Sequence, residues 1–193
     1  MAARSGMATL IADARLLADA GTAEHSVDGV TYYDDDAVQR ILDQHRMDVT
    51  RERMAFEAQY NAGSAEYYDY YWALPHVEEA ASGTTAWVIT DGNGSAIGTA
   101  DYTVNYDAQQ VRFDSNTTGS VFYLTYHSYD LDMAVSRLWR DKASHVADRF
   151  DVKTDNHDLK RSQLAARYME KAQEYAGKAR PKHVRMVRVD LNV

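Results

Sequence analysis

The spacing of the apolar residues changes twice along this chain, and that change limits the folds open to it. Met7, Leu10, Ile11, Ala14, Leu17 and Ala18 fall on one face of a helix spanning Met7–Ala20. Gly21 follows as a natural C-cap, since glycine takes a left-handed backbone at little cost. A second helix is expected over Asp35–Arg46, with Val38, Ile41, Leu42 and His45 as its buried stripe. Asp34, Asp35 and Asp36 stand at its start, where carboxylates cap free amides and complement the helix dipole. That explains the acid cluster without a metal.

In the middle of the chain the period falls to two. Arg51–Tyr60 and Glu66–Ala73 read as extended, with Tyr68, Tyr70 and Trp72 alternating, and Pro75 and Gly83 bracket a loop. Thr84–Thr90, Asp101–Tyr106, Gln109–Phe113 and Ser120–Tyr126 are short, rich in β-branched or aromatic residues, and bounded by turn residues. Asp91-Gly92-Asn93-Gly94 is a hairpin signal, and Asp107-Ala108 and Asn116–Gly119 are expected turns. Strands at this spacing make a small antiparallel sheet or barrel.

The last third returns to helical spacing. Leu131, Val135, Leu138, Trp139, Lys142, Val146 and Phe150 share one face behind the N-cap Asp130. Lys142 is expected to lay its stem along that face while its charge reaches water. After a polar turn, Asp151–Asn156, a helix from about Asp158 to Lys178 carries Leu159, Ala165, Tyr168, Met169, Ala172, Tyr175 and Ala179. Two such helices should pack as an antiparallel hairpin. Pro181 ends the second one. Val187, Val189, Leu191 and Val193 then alternate with Arg188, Asp190 and Asn192, the pattern of a half-buried strand. That strand could return to its own sheet, or add to the sheet edge of another chain.

Composition narrows the function classes. The formal net charge is −8, so the surface as a whole repels nucleic acid. The basic residues Lys178, Arg180, Lys182, Arg185 and Arg188 cluster at the C-terminus. There is no cysteine, which excludes disulfides, thiolate catalysis and cysteine zinc sites. No apolar run is long enough to span a bilayer, and Asp13 and Arg15 interrupt the N-terminal segment where a signal peptide would be apolar. The default expectation is a soluble cytoplasmic protein. The 14 tyrosines suit strands, and they also suit interfaces, because each buries apolar area and keeps a polar tip.

No nucleotide-binding signature, nucleophile elbow or zinc-binding helix motif occurs. Asp91, Asn93 and Ser95 imitate the start of a calcium loop, but position twelve is Tyr102 rather than glutamate. His145 and His157 flank the helical turn, too few ligands for zinc. The expectation is therefore a non-enzymatic protein without cofactor or metal.

The run Tyr129-Asp130-Leu131, leading to Ala134, Leu138 and Trp139, then Phe150-Asp151, Thr154-Asp155-Asn156 and Lys160-Arg161-Ser162-Gln163, resembles the C-terminal helical hairpin of the head–tail connector (adaptor) proteins of long-tailed bacteriophages. Asp101-Tyr102-Thr103-Val104, Val111-Arg112-Phe113 and Gly119 resemble the β-insert of that family, and the N-terminal helix and the Tyr32–Arg46 helix share its layout. The resemblance covers most of the chain, and its motifs are structural.

The resemblance implies an α+β fold: a helical bundle with an inserted antiparallel β-domain and an extended C-terminal arm. It divides the chain into N-terminal helices (1–50), the β-domain (51–127), the C-terminal helical hairpin (128–180) and the arm (181–193). It further implies a ring, commonly of twelve subunits, docked below the portal protein of the virion. Such a ring extends the DNA channel, lets viral DNA pass without sequence-specific binding, and presents a surface to the next neck or tail-completion protein. The protein would then occupy the virion neck, and the host cytoplasm during assembly, with no membrane contact. The acidic charge suggests an acidic channel wall. Candidate portal-binding residues are Arg180, Lys182, Arg185, Val187, Arg188, Val189, Leu191 and Val193; candidate subunit-interface residues are Tyr68, Tyr70 and Trp72. A neck stopper or tail-completion protein shares most of these features. A carbohydrate-binding β-domain is the reading from another class, and would need a cleft lined by Tyr68, Tyr70 or Trp72 beside two carboxylates.

Overall fold

The computed structural model describes residues 3–21, 26–27, 30–81, 86–147, 152–154, 157–159 and 161–180. The chain is mixed α+β. Its described residues form two hydrophobic cores, one built by helices that precede and follow the strands and one built by the strands between them.

A short 3-10 turn, Ser5–Met7, leads into α1 (Ala8–Ala18). Leu10, Ile11, Ala14 and Ala18 are its buried face, as the spacing predicts. The helix stops earlier than expected. Asp19, not Gly21, takes the left-handed conformation (φ 50°) and turns its N–H onto the carbonyls of Arg15 and Leu16. After the two-residue strands β1 (Ser26–Val27) and β2 (Val30–Thr31) comes α2 (Asp35–Asp43). Asp34 caps α2 by accepting the Ala37 N–H at 2.7 Å, so that aspartate serves as the sequence suggested. The helix is shorter than the expected Asp35–Arg46, because Arg46 already pairs with Tyr129 in a sheet.

That pairing belongs to β3 (Arg46–Arg53), an edge of a three-stranded antiparallel sheet in the order β3–β11–β8, with β8 at Trp87–Thr90 and β11 at Tyr123–Tyr129. A bulge interrupts the β3–β11 ladder: two residues, Thr50 and Arg51, face the single Thr125. Arg51 takes φ 52° there, donates its N–H to the Thr125 hydroxyl, and lays its guanidinium over Tyr123. A second antiparallel sheet runs β4–β7–β10–β9, from Ala55–Phe56, Asp69–Tyr71, Gln110–Phe113 and Tyr102–Asn105 respectively. Between β4 and β7 an exposed two-stranded ribbon projects, β5 (Gln59–Asn61) and β6 (Ser64–Glu66), with Tyr60 at 80% exposure.

The two sheets share one core. Tyr70, Tyr102, Val111 and Phe113 from one meet Trp87, Ile89, Leu124 and Tyr126 from the other, with Met54, Trp72, Val77 and Phe122. Phe113 stacks on Phe122 with ring centroids 4.5 Å apart, and Trp72 meets Trp87 edge-on at 5.0 Å. The expected turns hold at Tyr106–Gln109, where Asn105 accepts the Ala108 N–H, and at Thr118–Gly119. The Asp91–Gly94 turn also forms, but the returning chain makes only one bridge, Ala96 to Thr90, and no strand. Asp91 holds the turn itself by accepting the N–H groups of Asn93 and Ser95, so its carboxylate is engaged by backbone.

The helical core continues in α3 (Leu131–Ala147), where Leu131, Val135, Leu138, Trp139 and Lys142 are buried as the stripe predicts. Phe150 lies outside the described residues. Two short strands, β12 (Val152–Thr154) and β13 (His157–Leu159), pair antiparallel where a polar turn was expected, so Leu159 belongs to a strand and not to the last helix. That helix, α4, covers Arg161–Lys178. Asp130 meets Arg180, Ser136 bonds the Ala172 carbonyl, and Trp139 packs on Tyr168, so early residues of α3 face late residues of α4. Only a narrow strip of α4 is covered. Met169, expected in its apolar stripe, is 42% exposed.

No helix among the described residues is long and apolar enough to cross a membrane. Leu124, fully buried where the two sheets meet, tests the strand core. Leu124→Ala removes packed methylenes and leaves a cavity, and is expected to lower stability by about 2–5 kcal/mol. Urea unfolding followed by circular dichroism reads that loss.

Candidate functional site

The helical and strand cores meet along the last three residues of β11, and the polar groups of the molecule concentrate there. β8 pairs with β11 only as far as Tyr126. Beyond it, residues 76–78 take over the same edge: Tyr129 N–H bonds the His76 carbonyl, Glu78 N–H bonds the His127 carbonyl, and Val77 bridges Ser128. This places Glu78, 2% exposed, directly under the helices. Gly6 closes the other side. Its carbonyl accepts the Glu79 N–H, and a Cβ there would lie 2.4 Å from the Glu79 carbonyl oxygen, so no larger residue fits.

Arg4 fills the junction. Its guanidinium grips Asp43 of α2 through both oxygens, at 2.6 and 3.0 Å, and donates from Nε to Glu78 Oε1 at 2.9 Å. It also donates to the Tyr129 hydroxyl at 3.0 Å, which in turn donates to Glu78 Oε2 at 2.8 Å. The His127 ring lies 3.3 Å from Glu78 Oε2 and 3.5 Å from Asp48. A planar fork with several donors is the group suited to hold two carboxylates and a hydroxyl together.

The electrostatics follow from that geometry. Burial alone would push the Glu78 carboxyl up; the bonds from Arg4, Tyr129 and His127 and the Arg4 charge outweigh it and hold the carboxyl below its ordinary value. Asp43 and Glu78, opposing the burial cost, raise the Arg4 guanidinium further above its already high value. Burial, then the Glu78 carboxylate, push the Tyr129 hydroxyl up, so it remains a donor.

A second polar tie lies on the other side of β11. Asp130 caps α3 by accepting the Met133 N–H with one oxygen, and accepts the Arg180 N–H with the other, both at 3.1 Å. The Arg180 guanidinium reaches the Ser128 hydroxyl and the Pro75 carbonyl, again at 3.1 Å. A single carboxylate thus joins the start of α3 to the end of α4. Lys142 makes a third tie. It is 4% exposed, and its ammonium donates to the carbonyls of Ala18 and Asp19 at the end of α1 while facing the rings of Trp139 and Tyr168. This corrects the expectation that its charge reaches water: the unsatisfied carbonyls of α1 hold it inside.

Of the candidate partner-binding residues, Arg180 sits at this junction; Lys182, Arg185, Val187, Arg188, Val189, Leu191 and Val193 lie outside the described residues. Of the candidate subunit-interface residues, Tyr68 is half-buried, with the Arg112 guanidinium 5.9 Å from its ring. Tyr70 and Trp72 are not available to a neighbour. Tyr70 is fully buried with its hydroxyl bonded to Thr117 and Ser120, and Trp72 is 5% exposed with its indole N–H on the Leu74 carbonyl. Alternation puts these two inside because the inner face of β7 is the core face. The same burial removes two of the three rings from any carbohydrate platform. His145 packs edge-on against Tyr32 and Tyr33 rather than standing ready as a ligand. Among the described residues no group of three or more His, Asp or Glu side chains could hold a metal.

Arg4, Asp43, Glu78 and Tyr129 had no signal in the sequence; they are 39 to 125 positions apart in their bonded pairs and follow no motif. Lys142 did carry one, as a lone cation in an otherwise apolar stripe. Comparison with family models, curated proteins and solved structures returns no match for this chain.

Because the folded Glu78 carboxyl titrates below its ordinary value of 4.5, its stabilising contribution is fully present above that pH and is lost as the pH falls through the lower, folded value. Glu78→Gln is therefore expected to flatten the fall of the melting temperature between neutral and strongly acidic buffer. Arg4→Met leaves Glu78 buried without its guanidinium partner. It is expected to cost about 3 kcal/mol at neutral pH, near the lower end for breaking a buried pair because Arg4 keeps part of its surface in water. Thermal melts across a pH series separate the two effects.

Proposed function

We propose that this chain is a structural virion protein, a head–tail connector that forms a ring below the portal of a long-tailed bacteriophage. The observation that carries this reading is the placement of the two cores. Helices from residues 7–42 and 131–175 pack into one core with Tyr129, while the strands between them close a core of their own. We read these two cores as a helical bundle interrupted by a β-domain, with α3 and α4 as its hairpin. The ring, the portal contact and the extension of the DNA channel come from the resemblance.

Other features fit the role of a building block. Two of the buried charges, Glu78 held by Arg4 and Tyr129 and Lys142 held by the α1 carbonyls, are tied up in holding the fold. Among the described residues, the exposed large aliphatic side chains lie on helices: Leu16 at 80% exposure and Leu17 on α1, Leu164 and Met169 on α4. Ring subunits bury such residues against their neighbours. The ribbon tip at Tyr60 offers a third contact.

Mass photometry and negative-stain imaging of the protein alone and mixed with its portal test the proposal. Rings seated on the portal are expected. Leu16→Glu with Met169→Glu, both on exposed positions, should leave the unfolding free energy within about 0.5 kcal/mol of the parent while reducing ring occupancy. A chain that ignores the portal in every mixture overturns the reading.

A further inference from the structure

We propose that the cleft between α1 and the turn joining β9 to β10 is the seat of this chain's own basic C-terminal segment, residues 181–193. The cleft is a cavity of about 210 Å³. Leu10 and Val77, both buried, form its apolar floor, and the carboxylates of Asp13, Glu79 and Asp107 line it beside Tyr106. Thr9 donates to Glu79 at 2.6 Å, but no lysine or arginine among the described residues pairs with any of the three acids. The lining thus offers both an apolar surface and unneutralised negative charge, which suits a segment that is basic and apolar by turns.

The chain supplies such a segment at that place. Arg180, the last described residue, donates to the Pro75 carbonyl, and Pro75 itself lines the cavity. The 13 residues that follow carry Lys182, Arg185 and Arg188, with Val184, Met186 and Val187 between them and Val189 after. An extended residue advances about 3.3 Å, so the five steps from Arg180 to Arg185 can span up to roughly 16 Å from the edge of the cavity. Local concentration favours a site next to the point where the segment begins. On the connector reading, a portal would have to compete this segment out of the cleft; the assignment itself does not rest on that reading and is tested with no portal present.

The chain has no cysteine, so two introduced thiols report cleanly. Ala108→Cys, in the exposed β9–β10 turn, and Asn192→Cys, in the segment, are spin-labelled in the full chain, and their separation is read by pulsed electron resonance. One narrow, short-distance population is expected. It should broaden to long distances in Asp13→Asn/Asp107→Asn, whose circular dichroism and melting temperature stay at parent values, and in high salt. A broad distribution in the parent overturns the proposal, as does a narrow one indifferent to both carboxylates. A short distance that disappears on dilution with unlabelled chain also overturns it, and assigns the cleft to the segment of a second copy.

Discussion

Everything in this structure depends on how one guanidinium reconciles two cores. The helices present Asp43, the strands present Tyr129, and the loop between β7 and β8 presents Glu78. Each would be costly to bury alone. Arg4 answers all three from a position before the first helix, and its backbone N–H adds a bond to the Gln39 side chain. The N-terminal segment therefore closes the joint between the two halves instead of fraying, and Gly6 permits the close backbone approach that lets it do so. Arg4, the Gly6–Glu79 backbone bond and the Asp130–Arg180 tie together fix the strand region against the helices.

On the proposed connector reading, that orientation has to be fixed. In the proposed ring, the helices and the β-region would contact different partners, and a loose joint would blur both surfaces. The Asp130–Arg180 bond works in the same direction at the opposite side of β11, since it holds the end of α4 against the strand that carries Ser128. The C-terminal segment then starts from a defined point beside Pro75. The outer surface of α4 and the ribbon around Tyr60 stay exposed.

Much of this fold was legible from the sequence because period reports burial directly. The stripes of α1, α2 and α3, the Asp34 and Asp130 caps, and the strands around Trp87, Val111 and Leu124 all follow from local pattern. Misreadings came where a distant partner decided the outcome. Arg46 left helix for strand because Tyr129 was there to pair, and Lys142 stayed inside because α1 ended beside it. Tyr70 and Trp72 were assigned to an interface on their composition, although their alternation already placed them on a common face that the second sheet then covered. The Arg4 cluster was invisible: ion pairs between residues dozens of positions apart leave no periodicity, and a single chain offers no covariation to reveal them.

If Arg4 couples the two cores, they should unfold as one. Differential scanning calorimetry of the full chain measures this directly. The account predicts a single transition whose calorimetric and van't Hoff enthalpies agree, splitting into two when Arg4 is replaced by methionine. Two resolved transitions in the parent chain, with Arg4 in place, would contradict it.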